Sequence, residues 1–104
     1  MAIRIREFTD GDTAVSYEGG KECLKKELET LEQTEEIVLD FEGISYAITA
    51  FLNPVIGDLI LDKGSDIMKR VQIVNADKVI LWKIKMVEEG MLLKRGDICN
   101  DVIV

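Results

Sequence analysis

No histidine occurs anywhere in this 104-residue sequence, and it holds only one proline and two cysteines. Without histidine, the side chain that most often serves as a general base near neutral pH is missing, and so is a common metal ligand. Cys23 and Cys99 lie far apart in the sequence. Two thiols alone make a poor zinc site, and a reducing cytoplasm disfavours joining them. Gly19-Gly20 lack the spacing and the Lys-Ser/Thr of a phosphate-binding loop. No apolar run approaches the roughly 20 residues that would span a bilayer. Linkers rich in Ser and Gly, low-complexity tracts and internal repeats are all lacking. Positive charge is scarce too: 13 Lys and Arg stand against 20 Asp and Glu, a net charge of −7. No basic stripe offers phosphate contacts, so direct nucleic-acid binding is not expected. Met1 to Arg6 alternates apolar and charged groups and lacks the apolar stretch of a signal peptide, which points to the cytoplasm. These absences leave catalysis with little support and imply no cofactor and no metal.

What is present is the pattern of one globular domain spanning 1–104. The chain is 47% apolar and 32% charged, outside the disordered range. Its length allows burial of about two-thirds of the unfolded surface, enough for one core. Ile3 to Phe8 alternates mostly with period two and reads as a half-buried strand. A turn at Thr9 to Thr13 follows, and Ala14-Val15 adds a short second strand. Ser16 is placed to cap a helix over Tyr17 to Gln33, with Glu18 near its positive end, Leu24, Leu28 and Leu31 on the apolar face, and Lys25, Lys26, Glu27 and Glu29 on other faces. Gly19-Gly20 weaken its first turn, which would move its start later. Ile37 to Phe41 suits a central strand buried on both faces. A second helix carries Leu52, Val55, Ile56, Leu59 and Ile60; Asn53 as cap with Pro54 at the first helical position is the tidier start, Thr49 the other.

Beyond Gly64, Ser65-Asp66 begins one more turn carrying Ile67 and Met68, and Val71 to Val74 reads as another strand. Asn75 caps a last helix carrying Ile80, Ile84 and Val87, which Gly90 ends in a left-handed conformation. The segment from Met91 to Val104 then forms a hairpin or an edge strand. Strands alternating with helices imply parallel pairing with helices packed on the sheet. The expected fold is a small α/β two-layer sandwich, a mixed sheet with a largely parallel centre under about three main helices.

Several side chains invite a functional reading. Cys23 fits a small core residue, though Lys26 one turn on would lower its pKa if both shared an exposed face. The acids beside Cys99 would raise a thiol pKa there. Asp40 and Glu42 alternate at the end of a strand, where α/β sites commonly lie, but a structural role is the plainer reading. Val79, Trp82 and Met86 widen the apolar face of the last helix, with Met91 a further candidate; core packing is the expectation, an exposed face for a partner or for a second copy the alternative.

The run Ile37-Val38-Leu39-Asp40-Phe41-Glu42-Gly43-Ile44, followed by Thr49-Ala50-Phe51-Leu52-Asn53-Pro54-Val55-Ile56-Gly57-Asp58-Leu59, resembles the bacterial STAS-like domains of unknown function. These are relatives of a fold named for sulfate transporters and anti-sigma factor antagonists. The likeness runs from about Ser16 to Val87. It implies a non-enzymatic regulatory module that binds a protein partner, an ATPase-like kinase or another signalling protein, through the loop and helix start after the Ile37–Phe41 strand. Carried onto this chain, that surface comprises Ser45, Tyr46, Ile48, Thr49, Phe51 and Asn53. Ile48 stands where an Asp is usual and Ala50 stands nearest the usual phosphoacceptor, so Thr49 is the one candidate hydroxyl for phosphorylation. A homodimer is a second partner reading. The alternative function, drawn from charge and size, is a small acidic inhibitor, encoded by a mobile element, that occupies a basic nucleic-acid-binding surface of its target.

Overall fold

The structure is a computed structural model and describes residues 2–95, with side chains through Leu93. Three short strands, β1 (Ala2–Arg4), β3 (Ile37–Asp40) and β5 (Val71–Val74), form a sheet in the order β1-β3-β5. Both ladders are parallel; Ile3 pairs with Leu39, and Leu39 with Ile73. A second, two-stranded parallel ribbon joins β2 (Thr13–Ala14) to β4 (Tyr46–Ala47). The helical elements are α1 (Tyr17–Leu31), α2 (Thr49–Leu52), α3 (Leu59–Lys63) and α4 (Lys78–Arg95). A π-helical stretch, Asn53–Asp58, makes α2 and α3 one continuous rod. This is the expected two-layer α/β fold.

One sheet face carries the core. Ile3, Ile37 and Leu39 are buried, and Val71 and Ile73 pack against the same cluster. The alternate positions, Ala2, Arg4, Val38, Asp40, Gln72 and Val74, are exposed or half-buried. β3 is therefore central in the sheet but covered on one face, not both. α1 packs along the α2–α3 rod, and α4 packs on the rod from another side.

Several local expectations are corrected. The first strand stops at Arg4, and Ile5–Phe8 curls into a 3-10 turn that buries Ile5. α1 begins at Tyr17 despite its glycines, because Ser16 Oγ accepts from the Gly19 amide at 3.0 Å. The glycines also permit close packing. A Cβ at Gly19 would strike the Phe8 carbonyl oxygen, and one at Gly20 would strike the Phe51 carbonyl oxygen and Pro54. The buried stripe of α1 runs through Gly20, Cys23, Glu27 and Leu31, while Leu24 and Leu28 sit half-buried on its flank.

The second helix starts at Thr49 with Ile48 in the cap position, so neither Asn53 nor the Thr49 hydroxyl caps it. Pro54 then lies inside the helix, where it has no amide to donate. The π-helical stretch is where the ladder widens around that missing donor. Asp77, rather than Asn75, caps α4, its Oδ1 accepting from the Ile80 amide at 2.8 Å. Asn75 instead adopts a positive φ of 61° in the turn before it. Gly90 does not end α4, which continues to Arg95 and absorbs the start of the expected C-terminal hairpin. The rest of that expectation, residues 96–104, lies outside the described residues.

Candidate functional site

The loop after β3 and the start of α2 are held from three directions. The Ser45 hydroxyl donates to Asp12 Oδ2 at 2.8 Å, and its amide donates to the Asp12 carbonyl, also at 2.8 Å. The Ile48 amide donates to the Ala14 carbonyl at 3.0 Å, extending the β2–β4 ribbon. From α4, Lys83 Nζ donates to the Ala47 carbonyl at 2.8 Å and lies 4.6 Å from the centre of the Tyr46 ring. A backbone segment with few partners of its own in sequence thus becomes a fixed edge.

The six candidate residues separate once this edge is built. Ser45, Tyr46, Thr49 and Asn53 are exposed, Ile48 is half-buried, and Phe51 is fully buried in the core. Phe51 belongs to the foundation of the surface rather than to the surface itself. Helical spacing puts Phe51 on the opposite side of the rod from Thr49 and Asn53, which stand one turn apart on the outer face. Beside them opens a cleft of about 620 Å³, bordered by Thr49, Asn53, Asp58, Met86, Val87, Gly90 and Met91. Polar groups of the rod form one wall and apolar groups of α4 form the other. Gly57 lets the two helices approach: a Cβ there would stand 3.2 Å from Met91 Cε.

Lys83 is the contributor that sequence reading missed. Lys83 acts 36 residues away from Ala47, and no local pattern marks such a contact. Met91, weighed with Trp82 as part of an exposed face, instead continues the Ile80, Ile84, Val87 spacing and lines the cleft, half-buried.

The acids at the end of β3 do not act as a pair. Asp40 Oδ1 accepts from the Asn75 side-chain amide and from the Glu42 amide, each at 2.9 Å. The Asn75 bond, then the Glu42 amide and nearby Arg4, hold its carboxyl below the usual carboxylate range. Its role is to tie the β5–α4 turn to the central strand. Cys23 is buried, and burial pushes its thiol well above the ordinary range, with neighbouring Glu27 adding to the effect. Lys26 therefore does not activate it. Glu27 is itself fully buried, although its charge placed it among the outer positions of α1. Neither carboxylate oxygen has a hydrogen-bond partner among the described residues, and burial raises its pKa well above the usual range.

The family model of a STAS-like domain of unknown function matches residues 20–81, more than half of the chain. The chain belongs to that family. The match includes α1, β3, the loop, the α2–α3 rod, β5 and the first residues of α4, so the candidate edge lies inside it. No curated protein and no solved structure matches the chain significantly. Among the described residues, no helix is long and apolar enough to cross a membrane.

Proposed function

We propose that this STAS-like domain is a non-enzymatic regulatory module that captures a protein partner on the edge formed by Ser45, Tyr46, Thr49 and Asn53. The observation that carries the reading is the cleft beside Thr49 and Asn53, polar on the rod side and lined by Met86, Val87 and Met91 on the other. A partner side chain with an apolar body and a polar tip fits such a mixed wall, and methionines adapt to the shape they receive. The edge is preorganised by Asp12, Ala14 and Lys83, so little ordering entropy is lost on binding. The partner class is an ATPase-like kinase or another signalling protein, as the family resemblance implies. Thr49, exposed at the first helical position, is the residue at which a kinase would add charge.

The test is a pull-down from source-cell lysate with ATP present, comparing wild type with Thr49→Arg by mass spectrometry. The wild type is expected to recover an ATPase-like or signalling protein that Thr49→Arg loses. Thermal stability should stay nearly unchanged, because Thr49 is exposed. Equal recovery of the same partner by a folded variant would overturn the assignment of this surface.

A further inference from the structure

α4 buries one side, through Ile80, Ile84 and Val87, and half-buries Met91. At 100° per residue its opposite side carries Val79, Trp82, Met86 and Leu93. Those four are 57%, 62%, 47% and 53% exposed. The expectation that Trp82 packs in the core is thus overturned. An indole exposed to this degree, in line with three other apolar side chains, is a stripe without a cover among the described residues.

The stripe has a symmetry that names its cover. Val79 and Leu93 lie seven residues on either side of Met86, and Trp82 and Gly90 lie four residues on either side. Two antiparallel copies of α4 crossing at Met86 therefore put Val79 against Leu93 and Trp82 against Gly90, each pair twice. Gly90 is the one position in α4 without a side chain, and a Cβ there would meet nothing within 4 Å. A mid-helix glycine costs stability, and among the described residues no neighbour requires one at this position. Across the dyad it opens the space that an indole from the other copy fills. Charge follows the same symmetry. Lys85 and Glu89 flank the stripe on one side, and the antiparallel crossing brings each within about 3 Å, along the axis, of its opposite in the other copy. Neither makes an ion pair among the described residues of the monomer.

We infer that the chain forms an isologous homodimer through α4, antiparallel and centred on Met86, with Trp82 seated over Gly90 of the second copy. Such a two-fold interface closes on itself. Met86 and Gly90, at the centre of this interface, also border the cleft beside Thr49, so a second copy and a partner held in that cleft compete for the same wall of α4.

Sedimentation equilibrium over a dilution series tests it. Wild type is expected to show a monomer–dimer equilibrium, and Trp82→Glu to weaken it by about 100-fold, a central aromatic being lost from both sides. Lys85→Glu should weaken it by about ten-fold at low salt, and the swap Lys85→Glu with Glu89→Lys should restore it. All three positions lie on the surface, and circular dichroism would show each variant folded. A monomer at every concentration overturns the inference. So does a dimer that survives Trp82→Glu, or a charge swap that fails to restore what Lys85→Glu removes.

Discussion

Glu27 is the residue whose chemistry fits its surroundings least. A carboxyl with both oxygens buried and unpartnered among the described residues is costly to ionise, so burial favours its neutral form and raises its pKa. The consequence for stability has a definite sign. In the unfolded chain the group ionises around its ordinary value of 4.5; in the folded chain it holds its proton well above that. Between the two values the folded state binds more protons, so unfolding becomes easier as pH rises through that window. Urea titrations at pH 5 and pH 8 should show wild type less stable at pH 8, with Glu27→Gln abolishing this share of the difference. Glu27→Met, which keeps the volume and removes the polar atoms, is expected to stabilise by about 1–3 kcal/mol at neutral pH. A Met variant no more stable than wild type would mean that the carboxyl finds partners this structure does not give it. Periodicity alone pointed away from Glu27, because charge is ordinarily read as an outer face; the close approach at Gly20 and Cys23 turns that face inward.

At the scale of elements, glycines separate into those that admit a neighbour and those that do not. Gly20 lies where α1 meets the rod, against the Phe51 carbonyl and Pro54. Gly20→Ala should cost about 2–3 kcal/mol in chemical denaturation, since a backbone carbonyl cannot yield as a side chain can. Gly90 is the contrasting case. With open space around it, Gly90→Ala should stabilise the monomer by about 0.5–1 kcal/mol through helix propensity. The same methyl should weaken self-association, because it enters the space assigned to Trp82. A substitution that raises the melting temperature while lowering dimer affinity would be hard to produce by any general structural effect. The α2–α3 rod shows why element ends were harder to read than element identities. The apolar spacing from Leu52 to Ile60 declares a helix, and Pro54 favours a start at Asn53. The chain instead keeps its helix through the proline and widens the ladder around it.

The whole molecule presents two surfaces made by one helix. Through Lys83, α4 steadies the Tyr46–Ala47 edge on one side, and through Val79, Trp82 and Met86 it offers an apolar stripe on another. The two share Met86, but Thr49 stands on the rod wall of the cleft, so Thr49→Arg should lose the partner and still dimerise in sedimentation. A variant that loses both would tie partner capture to the dimer. The uncovered sheet face, with Arg4, Asp40 and Gln72 among its positions, carries enough polar groups to face water.

By itself the sequence determined the class of fold and the place of the candidate edge. Period-two and period-3.6 patterns are local, and the run from Ile37 through Leu59 carries the family likeness in consecutive residues. Tertiary structure alone decided which side of each helix is buried. It withdrew Phe51 and Glu27 from the surface, brought Lys83 to Ala47, and left Trp82 outside. The physical reason is that burial depends on what a helix is packed against. A two-layer domain this small has one covered sheet face, so its outermost helix has only one side to bury.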